Sequence, residues 1–143
     1  MFLGTFTPRL DDKNRLVLPA KWRPSFDGGI VMTRGQERCV FAFPRASFEQ
    51  LVDDLAGAPL TNKDARDYAR MLLAGAQDEV PDKQGRVTVA PLLREYAGLT
   101  RELAVLGVGR RLEIWDAATW QDLQATGEQA FAERSTEILP GVL

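Results

Sequence analysis

The chain has 143 residues, of which 45% are hydrophobic and 27% charged, and a net charge of −2, as in an ordinary soluble globular protein. It has no histidine and one cysteine, which excludes an internal disulfide and removes the usual general base and zinc ligand. No apolar run approaches the roughly 20 residues that span a bilayer, and no signal peptide, phosphate-binding loop or dinucleotide fingerprint is recognised. We therefore expect a cytoplasmic protein that uses no cofactor, small-molecule substrate or membrane.

The charges are segregated along the chain. The first 24 residues hold five basic and two acidic side chains, whereas residues 121–143 hold one basic and four acidic side chains. Of the 18 basic residues, 14 are arginine, which can bind phosphates and guanine edges through two parallel hydrogen bonds. The basic N-terminal segment gives only weak support to a nucleic-acid-binding surface, because genomic base composition alone also enriches arginine and the net charge is negative.

The first half of the chain alternates strands, turns and short helices. The segment GTFTPRL predicts a strand, DDKN a tight turn and RLVL a second strand, so that the two strands form a hairpin or are joined by a tight loop. Pro19 is predicted to open a short helix, PAKWRPSF, because proline suits a first helical turn. The strands GIVMT and CVFAF then flank a polar turn, and Pro44 is predicted as the first residue of the helix PRASFEQLVDDL.

A helix is predicted between the two halves, over TNKDARDYARMLLAGA, with Asn62 as its N-cap. It is expected to connect the halves by packing across both of them. Its predicted apolar face consists of Ala65, Tyr68, Ala69, Leu72 and Leu73.

The second half repeats the order of the first. Helix PLLREYAG, strands ELAVLGV and LEIW, and a helix DAATWQDLQ capped by Asp116 follow one another. The tail from about Thr126 contains Phe131 among polar residues; it is interpreted either as a frayed helix or as a segment that docks on a neighbouring subunit. Trp22, Trp115 and Trp120 have apolar neighbours and are predicted to be core residues.

The repeat is clearest in one charged turn. RLDDKNRLVLPAKWR, residues 9–23, aligns with VPDKQGRVTVAPLLR, residues 80–94, at a shift of 71. The shift superposes Asp11 on Asp82 and Arg15 on Arg86, and each aspartate can accept hydrogen bonds from backbone N–H groups further along its turn. Asn14 and Gly85 also coincide, and both residue types tolerate positive φ, so the same backbone is predicted in both turns.

These elements predict an α+β fold made of two tandem β-turn-β-α-β-β-α half-domains. Each half would supply the apolar face that the other lacks, so that their strands form one small pseudo-two-fold β-barrel with flanking helices. The predicted division is residues 1–60 for the first half-domain, 61–76 for the connecting helix, 77–125 for the second half-domain and 126–143 for an acidic tail.

A family resemblance rests on the start MFLG, the paired Asp-x-x-x-Arg turns, RLVLPAKWR, GRVTVAPLLREYAGLT and LEIWDAATW. With these features the chain resembles the MraZ family, bacterial regulators in the broader AbrB-like group, up to about Gln124. One Asp-x-x-x-Arg is a weak signal. Two at matching phase, each followed by an apolar strand, a proline and an arginine eight residues on, are specific.

The resemblance implies a DNA-binding transcriptional regulator with two AbrB-like half-domains in one chain. It implies ring-shaped homo-oligomers that bind direct repeats in double-stranded DNA upstream of the division and cell-wall gene cluster, including the protein's own gene. Repression is the expected outcome, and a nucleoid-associated location is expected with it. Neither a catalytic residue nor a cofactor is implied.

The resemblance also assigns site residues. The arginines that contact DNA correspond to Arg15 and Arg86, and the motif aspartates to Asp11 and Asp82. The family usually has glycine before the first arginine, where this chain has Asn14; because asparagine is the next best left-handed residue, the turn is expected to survive with a slightly altered presentation of Arg15.

The residues themselves support a similar interpretation. A protruding β-turn can carry an arginine to a groove edge or a phosphate, and Lys13 and Lys83 would add phosphate contacts. The alternative for each arginine is a salt bridge to the aspartate of its own turn. Lys21, Arg23 and Arg94 either reach the DNA backbone or solvate a helix, and for both arginines the structural role is favoured.

Other classes of function remain open. One is an oligomeric scaffold whose arginine turns bind an acidic partner protein, and another is an antitoxin-like module whose tail sequesters a toxin. A magnesium-dependent hydrolase ranks last, because its acidic clusters also suit a solvated turn, helix face and loop. Those clusters are Asp11–Asp12, Asp53–Asp54 and Asp78–Glu79–Asp82.

Overall fold

A computed structural model describes residues 1–59 and 61–143. The strands are numbered in chain order, and short 3₁₀ helices cover Arg23–Phe26 and Gln36–Arg38. The strands are β1 (Phe2–Phe6), β2 (Arg15–Val17), β3 (Ile30–Arg34), β4 (Val40–Pro44), β5 (Gln77–Glu79), β6 (Arg86–Thr88), β7 (Leu103–Gly109) and β8 (Leu112–Asp116). The α-helices are α1 (Arg45–Ala56), α2 (Lys63–Ala74), α3 (Pro91–Tyr96) and α4 (Ala117–Glu133).

Within the described residues, the strands form two antiparallel sheets. One is a six-stranded sheet in the order β1-β7-β8-β4-β3-β5, and the other is a two-stranded ribbon of β2 and β6. Helices flank this antiparallel framework, so the predicted α+β class is confirmed.

The strand register has an internal two-fold symmetry. Exchanging β1 with β5, β7 with β3 and β8 with β4 reproduces the sheet order in reverse. The β4–β8 ladder is centred on the pair Phe41–Glu113, and the β2–β6 ribbon is centred on Leu16–Val87. In both ladders a strand of one half therefore pairs with its own counterpart from the other half. Because β1 pairs with β7 and β2 with β6, β1 and β2 are strands joined by a loop and not a hairpin.

The main core lies between the ribbon and the sheet. Leu16 and Val87 of the ribbon belong to the same buried cluster as Ile30 of β3 and Leu112 of β8. A second cluster covers the opposite face of the sheet, where Phe48 of α1 packs with aromatic residues of β4. Trp22 and Trp115 are buried and Trp120 is partly buried, as expected of core residues.

Two predicted helix starts are wrong by a few residues. The 3₁₀ helix after Pro19 begins only at Arg23, with Pro24 in its first turn, where the missing backbone N–H of proline breaks no helical hydrogen bond. Pro44 is the N-cap of α1 and not its first residue: it pairs with Ile30 at the end of β4 and has ψ 142°, outside the helical range.

The connecting helix is only partly as predicted. Asn62 is its N-cap and accepts a hydrogen bond from the Ala65 backbone N–H. Leu72 is buried on β3, whose Thr33 hydroxyl donates to the Leu72 carbonyl. Tyr68 and Leu73, which the periodicity placed on the apolar face, are exposed.

Helix α4 is longer than its sequence pattern suggested. Asp116 caps it as predicted and accepts a hydrogen bond from the Thr119 backbone N–H. The helix then continues through Thr126 to Glu133, so the first part of the tail is regular helix. None of its side chains, all within the described part of the chain, is buried.

Within residues 1–59 and 61–143 there is no helix both long and apolar enough to cross a bilayer.

The β1–β7 pairing depends on Gly107. A Cβ at this position would lie 2.6 Å from the backbone nitrogen of Leu3 and 2.6 Å from the carbonyl carbon of Phe2. Because backbone atoms cannot turn aside as a flexible side chain does, we expect Gly107→Ala to lower the free energy of unfolding by about 1–3 kcal/mol.

Gly28→Ala is the matched control, to be compared by denaturant unfolding. Within the described residues, a Cβ there would meet no atom within 4 Å, so alanine should leave the free energy of unfolding unchanged or raise it by up to about 1 kcal/mol through the lower entropy of the unfolded chain. Equal effects of the two substitutions would contradict the close β1–β7 packing.

Candidate nucleic-acid interface

The two charged turns share one pattern of backbone and aspartate hydrogen bonds, to which the second turn adds a bond from Arg86 Nη2 to Gln84 Oε1 at 3.4 Å. Asp11 Oδ1 accepts from the backbone N–H groups of Lys13 and Arg15, both at 2.9 Å, and the Asn14 N–H donates to the Asp11 carbonyl at 2.9 Å. The second turn repeats these bonds with the same distances. Asp82 Oδ1 accepts from Gln84 and Arg86, and its carbonyl accepts from Gly85.

The predicted left-handed backbone is confirmed in both turns. Asn14 has φ 59° and Gly85 has φ 75°. Asparagine and glycine are the residue types that adopt this conformation at lowest cost. The asparagine in the first motif therefore preserves the turn.

Each turn also holds its arginine through the guanidinium group. Arg15 Nε lies 2.8 Å from Asp11 Oδ2, and Arg86 Nε lies 2.6 Å from Asp82 Oδ2. The ion pairs considered as an alternative are thus present. A guanidinium has five N–H donors, so a bond through Nε fixes the direction of the group and is compatible with a further ligand.

The carboxylates of both turns are stabilised in their charged form. The pKa of Asp11 is lowered, mainly by the hydrogen bond from the Arg15 backbone N–H and also by the Arg15 guanidinium, although desolvation opposes this. The pKa of Asp82 is lowered by the equivalent groups of Arg86. Both aspartates are therefore ionised at neutral pH.

The ribbon places the two arginines on one outward face. Arg15 pairs with Thr88, and Arg86 pairs with Val17. Since side chains alternate along a strand, these four residues share the outer face while Leu16 and Val87 point into the core. Arg15 and Arg86 are diagonal neighbours, a relation that corresponds to about 7–8 Å.

Each turn is tied to the strand of the opposite half. The Leu18 N–H donates to the Gly85 carbonyl at 2.8 Å, and the Val89 N–H donates to the Asn14 carbonyl at 3.0 Å. The left-handed residue of each turn is therefore hydrogen-bonded to the other half of the chain.

The remaining predicted cations occupy two kinds of position. Lys13 and Lys83 are exposed in the turns, and Lys21 is exposed beside the Trp22 ring, 5.1 Å from its centroid. Arg23 and Arg94 are half-buried and donate through Nε to the carbonyls of Leu18 and Val89, at 2.8 Å and 3.0 Å. These two arginines therefore have backbone partners within the protein, which the expected solvation of a helix did not include.

Sequence reasoning missed two features near the turns. Val17 and Thr88 share the outer face of the ribbon with the arginines, which follows only from the β2–β6 register. Arg101 lies 3.7 Å from Asp12 and lines a cavity of about 240 Å³ beside the first turn. Its neighbourhood depends on the non-local contact between the segments before β2 and before β7, so no local pattern indicated it.

The acidic clusters do not form a metal site in the part of the chain that the structure describes, where no group of three or more Asp, Glu, Cys or His side chains could hold an ion.

Burial raises the pKa of the Cys39 thiol to about 12, which keeps this cysteine protonated at neutral pH.

Comparison with known proteins identifies relatives over the full length. A family model described as "MraZ protein, putative antitoxin-like" matches the chain twice, over residues 1–71 and 72–139. The chain is 59% identical over 143 residues to "Transcriptional regulator MraZ" of Kineococcus radiotolerans, covering 100% of both chains. It is 56% identical over 142 residues to the protein of the same name from Clavibacter michiganensis, covering 99% of both chains, and the Thermobifida fusca protein is 55% identical over 143 residues and 100% of both chains.

The carboxylates of the turns can be titrated directly. We expect Asp11 and Asp82 to titrate below the ordinary value of 3.8, as measured by carboxyl ¹³C NMR. Because folding lowers these pKa values, the stability that the turns contribute is present above the unfolded-state pKa and is lost as the pH falls through the folded-state pKa.

Arg15→Gln separates the two causes of the shift at Asp11. It removes the guanidinium and keeps the backbone N–H of residue 15, so the pKa of Asp11 should rise only part of the way towards its ordinary value. A complete return to that value would contradict the leading role of the backbone hydrogen bond.

Proposed function

The chain belongs to the MraZ family, and we propose that it is a sequence-specific transcriptional regulator that contacts double-stranded DNA through its two Asp-x-x-x-Arg turns. The observation that carries this proposal is the position of Arg15 and Arg86 on one outward face of the β2–β6 ribbon. The relatives bear the name of transcriptional regulators, which supports regulation and not catalysis as the role of the chain.

The dimensions of the ribbon suit the major groove. A two-stranded β-ribbon fits into that groove, and side chains about 7–8 Å apart correspond to roughly two steps of the 3.4 Å base-pair rise. In our proposal Arg15 and Arg86 bind guanine edges or neighbouring phosphates. Lys13 and Lys83, both exposed, contact the phosphate backbone and fix the register.

The remaining site residues, two aspartates and the two left-handed residues, orient the arginines. Asp11 and Asp82 hold the guanidinium groups and the turn N–H groups together. Asn14 and Gly85 supply the left-handed backbone. Pre-ordering an arginine before DNA arrives reduces the side-chain entropy that binding would otherwise cost.

The finer assignments are also proposals. We propose two AbrB-like half-domains that form one pseudo-two-fold barrel, divided as residues 1–60, 61–76, 77–125 and 126–143, and the symmetric strand register supports this. The family resemblance supports non-enzymatic repression at direct repeats upstream of the division and cell-wall cluster, including the chain's own gene. It also supports a cytoplasmic, nucleoid-associated location.

A homo-oligomer, such as a ring, would present several ribbons to repeated DNA. One face of α4 carries apolar residues along a groove of about 480 Å³, and Phe131 on this face is 82% exposed. A long helix without buried side chains gains stability by packing on another surface. Linked ribbons would multiply the affinity through their effective concentration.

The alternative is an oligomeric scaffold that binds an acidic partner protein through the arginine turns. The exposed apolar face of α4 favours an assembly role, and the net charge of −2 suits a protein that does not bind DNA. Binding to duplex DNA that weakens steeply with salt distinguishes the two functions.

DNA binding through the turns predicts losses in two variants. In a fluorescence-anisotropy titration, the wild-type protein should bind duplex DNA from the region upstream of its gene specifically and in a salt-dependent manner. Arg15→Ala and Arg86→Ala should each weaken it by about 1–3 kcal/mol per binding unit, since each removes one side chain that contacts a base or phosphate.

Arg70→Ala is the matched control for charge. Arg70 is also an arginine paired with an aspartate, 3.0 Å from Asp67 on α2, but it lies outside the ribbon. It should retain specific binding. No preference for the upstream region over unrelated DNA, together with equal behaviour of all three variants, would reject the proposed function and favour the scaffold.

Assembly through α4 predicts a change in mass. Phe131→Asp should lower the mass measured by light scattering, because a charge would be buried in the apolar contact. Gln129→Asp adds the same charge to α4 away from the groove-lining residues and should leave the mass unchanged. An unchanged mass for Phe131→Asp would exclude this face as the oligomer interface.

A further inference from the structure

We infer that Arg23 and Arg94 are positioning residues, each of which braces the arginine turn of the opposite half. The inference rests on the proposed DNA-binding function for its consequence, but its structural content concerns the free protein. It assigns a role to the last residue pair of the repeated segments, which overlay at the same shift of 71 as the turns.

Arg23 belongs to the first half and packs on the second turn. Its Nε donates to the Leu18 carbonyl at 2.8 Å, and the Leu18 N–H donates to the Gly85 carbonyl at 2.8 Å. The guanidinium lies directly over Gly85, because a Cβ there would be 2.3 Å from Arg23 Nε and 2.9 Å from its Cζ. Gly85 is thus enclosed by the opposite half.

Arg94 makes the reciprocal arrangement. Its Nε donates to the Val89 carbonyl at 3.0 Å, and the Val89 N–H donates to the Asn14 carbonyl at 3.0 Å. Arg94 and Asn14 line the same cavity beside the first turn. The same pair of hydrogen bonds therefore runs in both directions between the halves, and Arg94 faces the first turn across a shared cavity.

The brace, meaning the contacts of Arg23 or Arg94 with the opposite turn, acts at the residue whose backbone conformation sets the direction of the turn arginine. The left-handed residue directly precedes the arginine, so a rotation of its backbone would redirect the guanidinium. The aspartate of the same half holds one side of the turn, and the arginine from the opposite half holds the other. Arg23 consequently controls the presentation of Arg86, and Arg94 controls that of Arg15.

The two braces are not equivalent. Gly85 leaves room for Arg23 to lie against its backbone, whereas Asn14 carries a side chain at the corresponding place. We therefore expect Arg23 to restrain its turn more strongly than Arg94 does.

Amide hydrogen exchange in the DNA-free protein tests the brace directly. Arg23→Gln should accelerate exchange at Gln84, Gly85 and Arg86 by about fivefold or more, the factor expected when one typical hydrogen bond is lost. The amides of Lys13, Asn14 and Arg15 should remain unchanged.

Arg94→Gln is the matched control for direction. It should accelerate exchange at Lys13, Asn14 and Arg15 and leave the second turn unchanged. Acceleration in the turn of the same half, equal acceleration in both turns, or no acceleration would each overturn the inference. Arg23→Lys replaces Arg23→Gln if the latter does not fold; it keeps the charge and loses the planar Nε contact, and it should accelerate the same three amides.

Double-mutant cycles on DNA binding test the consequence. The loss of affinity in Arg23→Gln should be non-additive with that in Arg86→Ala, because both substitutions remove the same contact between the Arg86 guanidinium and DNA. It should be additive with the loss in Arg15→Ala. Additivity with both variants would identify Arg23 as a direct phosphate contact and reject the positioning role. If the unchanged protein binds no DNA, the proposed function fails while the exchange result still decides whether the brace exists.

Discussion

The pairing of β2 with β6 is the constraint on which the rest of the molecule depends. Each strand has only three residues and comes from a different half, so neither can form a stable ladder within its own half. Leu16 and Val87 at the centre of the ribbon have exposures of 0% and 1%, so the pairing also closes the main core. The core and the outward face that carries Arg15 and Arg86 therefore form together.

Because both halves belong to one chain, their sequences can differ elsewhere while the β2–β6 ribbon that joins them remains paired. The first half is followed by α2, which has no counterpart after α4 among residues 61–143, and α4 is longer than α1. Asparagine replaces glycine in one turn only. These differences lie outside the paired strands, where the symmetric register tolerates little change.

Local features were predictable from the sequence and non-local ones were not. The left-handed residues and the caps Asn62 and Asp116 follow from residue type and spacing, because their hydrogen bonds span a few residues. The β2–β6 register, and with it the outward face, depends on contacts between residues some 70 positions apart. The partners of Arg23 are also decided by tertiary packing, although the repeat had already marked Arg23 and Arg94 as equivalent. The polar sequence after Thr126 did not mark the continuation of α4, a helix with no buried side chain.

The ion pairs in the turns do not compete with a role in DNA binding. They join partly exposed groups, with side-chain exposures of 25% and 38% for Arg15–Asp11, and such pairs contribute little net stability. Their geometric effect is larger, because each aspartate binds its arginine and the turn backbone at once. A guanidinium held through Nε still has its terminal N–H groups for the bidentate contacts that guanine or phosphate requires. Each acidic residue therefore directs its arginine outward, and a local charge balance is compatible with a DNA-contact surface on an acidic protein.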